Sequence, residues 1–368
     1  MYSDIENSRK WGYWNISSSN PLIIAGPCSA ESENQVLKTA RELKSSGKVH
    51  LFRSGIWKPR TRAGQFEGKG HIALEWLKNM RKEVDLPFII EVANTRHVDH
   101  ALNASADALW IGARTTVNPF YVQEIAESLR GTDIPILIKN PIHADLGLWL
   151  GAFERLEKSG LHNLAAVHRG FFASNSAPFR NDPRWEISFD FRRAAPTIPI
   201  ICDPSHIAGK RELIEQITQV AIDIQMDGLM VEVHHSPKDA LSDSDQQITP
   251  GKLISLLKDL DLESKAVTPH ELQKLISDQR KILDNLDKRI VDTLKKRMKI
   301  VDELGHIKAN NNASVFQMER WFDLLKQRGH QARELGLNEN FINELFQIIH
   351  KYSVEHQNEI YQHFRDKE

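Results

Sequence analysis

Between Pro21 and Asp261 the chain alternates short apolar runs with amphipathic helical patterns eight times, and few folds accept such a rhythm. The runs are PLIIAGPCS (21–29), HLFRSG (50–55), FIIEVA (88–93), ALWIG (108–112), PILIKN (135–140), LAAVHRG (164–170), PIICDPS (199–205) and GLMVEVH (228–234). Short unbroken apolar runs read as strands buried on both faces. Segments such as ENQVLKTARELKSSG, HIALEWLKNMRKEV and LWLGAFERLEKSG between them carry helical spacing. Eight such units over about 240 residues predict an α/β chain folded as a (β/α)₈ barrel, TIM-like, at 21–261. An open doubly wound sheet is the alternative, but no Gly-x-Gly-x-x-Gly follows any strand. The last barrel helix is expected over GKLISLLKDLD (251–261).

The flanks read differently. Residues 1–20 are polar apart from Trp11, Tyr13 and Trp14, and predict a short arm packed on the body. Residues 262–270 read as a linker, and from Glu271 to Glu368 no strand pattern remains. One helix is expected from about Pro269 to Asn310, a second over Gln317–Leu335 with a stop at Gly336, and a third from Asn338. The first exceeds ~25 residues, which points to a helical hairpin or an intertwined homodimer of this all-α domain.

A net charge of −1 leaves no global field to attract nucleic acid or an anionic membrane, so any anion must be held by local cations. Two cysteines, Cys28 and Cys202, argue for a reducing compartment. The first twenty residues lack an apolar signal core, and no run reaches the ~18 residues a membrane span needs. A cytoplasmic protein is expected.

In such barrels the site forms at the C-terminal ends of the strands. Reading those ends in order gives Cys28, then Arg53 with Lys58, Pro59, Arg60 and Thr61, then Glu91, Arg114, Lys139, His168 with Arg169, Asp203 with His206, Glu232, and Asp243 beyond. Cations recurring at one rim call for phosphate or carboxylate ligands. Taken singly, Cys28 reads as a small buried hydrophobe and His206 as a rim histidine. With Glu232 and Asp243 they make a thiolate, imidazole and carboxylate set suited to a divalent transition metal such as Mn²⁺, Fe²⁺, Co²⁺ or Zn²⁺ rather than Ca²⁺ or Mg²⁺.

GPCSAE (26–31), KPRT (58–61), IGAR (111–114), IKN (138–140), HRG (168–170), DPSHIAGKR (203–211) and EVHHSPKDALSD (232–243) resemble the motifs of 3-deoxy-D-arabino-heptulosonate 7-phosphate (DAHP) synthase, in its compact subgroup. The resemblance implies condensation of phosphoenolpyruvate with erythrose 4-phosphate, releasing phosphate, at the entry to aromatic biosynthesis. It assigns the metal to Cys28, His206, Glu232 and Asp243. Phosphoenolpyruvate falls to Arg53, Lys58, Arg114, Lys139 and Arg169, and erythrose 4-phosphate to Pro59, Arg60 and Thr61. Lys58, Lys139 and Glu91 take the catalytic roles, Glu91 as a candidate for handling water or protons. The related 3-deoxy-D-manno-octulosonate 8-phosphate synthase carries an Asn- and Ser-bearing segment where this chain has KPRT. FRSG at 52–55 and HRG depart from the more usual Arg-Gly-Gly and Glu-Arg-Gly without removing a cation.

On the first tail helix an apolar seam runs Leu283, Leu286, Ile290, Leu294, Val301, Leu304, and its spacing also picks up Arg297 and Lys308. These two cations lie eleven residues apart, which returns to one face at about 3.6 residues per turn. Cations on an apolar stripe are costly unless an anion meets them. Arg280 lies about 100° away around the helix, which suits a partner's pocket. Ser353 and Gln357 enter the apolar stripe of the last helix. The tail is similar to the all-helical chorismate mutase family, which implies rearrangement of chorismate to prephenate without any cofactor. Carried over by position, Arg280, Arg297, Lys308, Gln317, Arg320, Ser353 and Gln357 line its pocket, with Arg297, Lys308 and Gln357 catalytic. Gln317 and Trp321 stand where the family often has Asp and Glu. A bifunctional enzyme is expected, with prephenate or chorismate feeding back on the synthase. The alternative is a synthase whose tail only regulates or dimerises.

Overall fold

A computed structural model of the chain describes residues 9–16, 21–58, 64, 66–173, 178–260 and 270–365. The expected Pro59, Arg60 and Thr61 subsite lies outside these residues, as does the expected linker up to 269. The chain divides into two compact units, Met1–Lys265 and Ala266–Glu368.

In the first unit, β1 (Arg9–Trp11) and β2 (Trp14–Ile16) form an antiparallel hairpin. Eight parallel strands then close a barrel: β3 (Leu22–Gly26), β4 (Leu51–Ser54), β5 (Phe88–Val92), β6 (Ala108–Ile111), β7 (Ile136–Lys139), β8 (Leu164–His168), β9 (Ile200–Cys202) and β10 (Gly228–Glu232). Each strand pairs with its sequence neighbours, and β10 closes on β3 with Glu232 opposite Gly26. The helices are α1 (Glu33–Lys44), α2 (His71–Val84), α3 (Thr95–Asn103), α4 (Ala113–Thr116), α5 (Pro119–Ser128), α6 (Leu146–Lys158), α7 (Trp185–Ala194), α8 (Pro204–Ala208), α9 (Ile214–Asp223) and α10 (Pro250–Asp259). Local chemistry starts them: Ser32, Asn94, Asn118, Asp145 and Thr249 each accept a hydrogen bond from a first-turn amide, and Pro119, Pro204 and Pro250 occupy a first-turn position.

The strands bury two faces in two separate apolar layers. Ile23, Ala25, Phe52, Ile90, Leu109, Ile111, Ile138 and Val231 pack outward with the helices. Leu22, Ile24, Leu51, Ile89, Ala108, Trp110, Leu137, Val167 and Met230 fill the lumen. Strand side chains alternate between faces. The residue two places beyond a lumen residue therefore faces the lumen again, nearer the C-terminal rim. That rule turns Leu51 into Arg53, Ile89 into Glu91, Leu137 into Lys139 and Met230 into Glu232. The arm proves to be a hairpin whose Trp11 and Ile16 are buried among the lumen residues. Gly12 turns it at φ +58°, and a Cβ there would meet Pro135 Cγ at 2.6 Å.

The second unit holds α11 (His270–Asn310), α12 (Met318–Glu334) and α13 (Glu339–Arg365). Forty-one residues make α11 about 60 Å long. It runs in the same direction as α13, since Arg297 meets Ser353 and Asp302 meets His356. Helix α12 returns against α13, with Trp321 stacked on His350 and Arg333 near Glu339. The expected apolar seam is buried only at Val301; Leu283, Leu286, Ile290 and Leu304 are exposed within one chain. Every residue from 277 to 293 is exposed, so this stretch of α11 has no packing partner among the described residues. Among those residues no helix is long and apolar enough to cross a membrane.

Candidate active site

At the C-terminal rim of the barrel, Cys28 Sγ donates to Asp243 Oδ2 at 3.2 Å, and Lys58 Nζ lies 3.0 Å from the same sulfur. Ligand atoms of Cys28, Glu232 and Asp243 all fall within 4.8 Å of one another. His206 stands beside this trio rather than inside it, with Nε2 3.9 Å from Glu232 Oε1. Asp203 fixes that imidazole: Oδ1 accepts the His206 amide at 3.1 Å and caps α8, while Oδ2 lies 2.8 Å from Nδ1. The ring's other nitrogen is left for the site, an arrangement typical of metal-binding histidines.

Glycine makes the approaches possible. A Cβ on Gly26 would meet Arg53 O at 2.2 Å, one on Gly55 would meet Lys58 Nζ at 2.7 Å, and one on Gly112 would meet Glu91 Oε1 at 2.0 Å. Gly26 thus lets the β4 backbone approach, Gly55 leaves room for the Lys58 side chain, and Gly112 for that of Glu91.

Charge at the rim is paired and largely dry. Arg53 Nη2 lies 3.1 Å from Glu232 Oε1, and Lys139 Nζ lies 2.9 Å from Asp203 Oδ2. Burial would raise the Glu232 carboxyl, but His206, Arg53 and Lys58 outweigh it and hold Glu232 below its ordinary range. Asp243 is lowered in the same way, by Arg180 and His206 against burial. Lys58 is raised despite burial, by the charges of Cys28 and Glu232. Burial, then Glu232, pushes the Cys28 thiol up to about 12. His206 is lowered by burial, against Asp203. The rim therefore offers a neutral imidazole, two carboxylates and a thiol that a divalent cation would deprotonate. That donor set fits a transition metal.

Arg169 follows β8 with its amide donating to Asn140 Oδ1 at 2.7 Å and Nη1 donating to Asn181 Oδ1 at 3.0 Å. Burial lowers it to about 10, and Arg114, exposed on α4, adds to that lowering. Glu91 is half-buried at the rim, close enough for its charge to act on Arg53 and Lys58.

Sequence reasoning missed four groups. Trp110 is buried in the lumen, with Arg53 Cζ 5.1 Å and Lys139 Nζ 5.7 Å from its ring centroid, so one indole contacts two cations. Arg180 Nη1 bonds Asp243 Oδ1 at 3.1 Å and Gln246 Oε1 at 2.6 Å. Gln246 and Gln247 bond Glu232 and Cys28. Only the strand position of Trp110 hinted at any of them.

In the helical unit, Arg297 Nη1 donates to Ser353 Oγ at 2.5 Å, and Ser353 and Gln357 are buried. Lys308 Nζ donates to Val315 O at 2.7 Å. Burial, then the charges of Arg297 and Lys308, lower His350, which stacks on Trp321. Arg297, Lys308, Ser353 and Gln357 thus share one neighbourhood. Gln317 and Arg320 are exposed where α12 begins, and Arg280 lies on the bare 277–293 stretch of α11. His350 is an addition that helical spacing alone did not single out.

Residues 14–268 match the family described as DAHP synthetase I, and residues 279–358 match chorismate mutase type II. Phospho-2-dehydro-3-deoxyheptonate aldolase of Thermotoga maritima is 32% identical over 244 residues, 66% of this chain and 68% of that protein. The 2-dehydro-3-deoxyphosphooctonate aldolase 1 of Arabidopsis thaliana is 28% identical over 272 residues, covering 67% of this chain and 90% of that one. The crystal structure of the Thermotoga maritima DAHP synthase aligns with a TM-score of 0.62 at 27% identity, over 73% of each chain. With most of its length matched to one family and a 32% identical relative covered over 68% of its length, the chain belongs to the DAHP synthetase I family and carries a chorismate mutase type II domain behind the barrel.

Proposed function

We propose that the barrel condenses phosphoenolpyruvate with erythrose 4-phosphate in a metal-dependent reaction, that the helical unit converts chorismate to prephenate, and that prephenate or chorismate held there inhibits the barrel. The observation that carries the first part is the convergence of Arg53, Lys58, Lys139 and Arg169 on the rim that holds Cys28, Glu232 and Asp243. Two phosphorylated anions repel each other, and a surplus of fixed cations offsets that repulsion. Arg53, Lys58, Arg114, Lys139 and Arg169 bind and orient phosphoenolpyruvate, with Lys58 and Lys139 closest to the reacting atoms. Arg60 and Thr61, beside Pro59, take the aldose phosphate. Cys28, His206, Glu232 and Asp243 hold the metal, which supplies Lewis-acid polarisation of the aldehyde oxygen when bound. Mn²⁺ suits this set, with Fe²⁺, Co²⁺ and Zn²⁺ as close competitors. Glu91 holds or moves a proton at the rim beside Arg53 and Lys58.

In the tail, Arg297, Lys308, Ser353 and Gln357 form a cationic and hydrogen-bonding cage. A unimolecular rearrangement of a dicarboxylate needs this and no nucleophile. Arg280, Gln317 and Arg320 complete the cage on assembly, Arg280 from the second subunit. The exposed row Ile282, Leu283, Leu286, Ile290 and Val291 supports a homodimer through α11. Location in the cytoplasm accords with two unpaired cysteines.

The test is a synthase assay with metal removed and restored, with and without prephenate, beside chorismate turnover in wild type and Arg297→Ala. Activity that ignores the chelator sinks the metal. A tail that leaves chorismate untouched favours a purely regulatory or dimerising module.

A further inference from the structure

Two adjacent glutamines tie together the three segments that meet at the metal-ligand trio. Gln246 closes a short 3₁₀ turn (Ser244–Gln246), and Gln247 is extended, so the two side chains diverge. Both are buried, at 1% and 0% exposure. Gln246 Nε2 donates to Glu232 Oε2 at 2.6 Å, and its Oε1 accepts from Arg180 Nη1 at 2.6 Å. Gln247 Oε1 accepts from the Cys28 amide at 2.9 Å, and its Nε2 donates to the carbonyl of Ser242, next to Asp243, at 2.8 Å. Asp243 itself has φ +46°, the left-handed region, which aspartate tolerates better than most residues. Just beyond the pair, Ile248 exchanges backbone hydrogen bonds with Glu232 and His234, which anchors the strap to β10.

We propose that Gln246 and Gln247 are positioning residues that set the geometry of Cys28, Glu232 and Asp243 for a divalent metal; this rests on reading those three as its ligands. A primary amide suits the role because it donates and accepts at once. Gln246 donates a hydrogen bond to one ligand carboxylate while accepting one from the arginine that holds the other. Gln247 holds the backbone of the thiol ligand with one end and the entry to Asp243 with the other. The loop 242–247 is thus closed by side chains on the three ligand segments rather than by its own backbone alone.

The test uses the full chain loaded with Co²⁺, whose charge-transfer absorption reports thiolate ligation. Wild type shows a Cys28-dependent band that Cys28→Ser abolishes. Gln246→Met and Gln247→Met weaken Co²⁺ binding about 10–100-fold each, and Gln247→Met also shifts the band by freeing the Cys28 backbone. Arg180→Met acts from the solvent side and gives the same direction should a buried substitution fail to fold. A wild-type protein without the Cys28-dependent band overturns the metal reading and this proposal together. A normal band with all folded variants binding within threefold of wild type overturns this proposal alone.

Discussion

Arg53 and Glu232 form an ion pair of 3.1 Å across the barrel lumen, with side-chain exposures of 1% and 0%. Removing the arginine leaves a carboxylate in a dry site with Lys58 as the nearby cation and His206 beside it as a neutral imidazole. Arg53→Met is expected to destabilise the barrel by about 3 kcal/mol, since breaking a buried pair costs more than the pair contributes. Urea unfolding checks this, and a midpoint equal to wild type would mean that water reaches Glu232.

Metal binding should release a proton. The Cys28 thiol is pushed up to about 12 by burial and Glu232, so it is protonated throughout the neutral range. His206 is held below its ordinary value and contributes no proton above about pH 6.5. Apparent Mn²⁺ affinity should therefore rise about tenfold per pH unit between pH 7 and 9, with a slope of one. Calorimetry in buffers of different ionisation heat measures the released proton directly; affinity independent of pH would exclude Cys28 as a ligand.

His168 makes an acid-sensitive contribution to stability. Burial, opposed by the Pro183 backbone and Asp203, lowers it to about 3. An unfolded histidine protonates near 6.5. Between those values the unfolded chain carries the extra proton, so stability falls as pH drops from about 6.5 towards 3 and is level above. His168→Gln should flatten that limb of the stability profile. An unchanged slope would show that the ring is solvated.

Ile290 and Leu286 lie one turn apart on the bare 277–293 stretch of α11, 57% and 44% exposed. If α11 pairs two copies as proposed, Leu286→Glu with Ile290→Glu should halve the mass seen in sedimentation and reduce chorismate turnover at least tenfold, because the pocket proposed to receive Arg280 is then lost. Retention of the dimer by the double variant would move the interface elsewhere.

Strand rhythm and strand ends carried much of the barrel rim. Arg53, Glu91, Lys139 and Glu232 were legible because a period of two converts a core residue into a rim residue without knowledge of any contact. Trp110 obeys the same period, yet nothing in a one-dimensional pattern says that two cations from other strands will sit on its indole. Gln246, Gln247 and Arg180 lie in loops, where spacing has no rule, and key partners such as Arg180 for Gln246 and Cys28 for Gln247 come from more than 60 residues away. The tail shows the converse limit. Its apolar spacing was plain, but spacing cannot tell a seam that packs within the chain from one left bare for another copy, and most of this one is bare.

The alternation between lumen and outer layer also limits how such a catalyst can diversify. Exchanging one side chain for another in β7 alters a single contact. Slipping one extra residue into it would swing Lys139 out among the surrounding helices and turn Ile138 toward the reacting phosphates. Length changes are thus confined to the loops above the rim, where a new sugar phosphate or a new effector can be accommodated while the staves beneath stay in step.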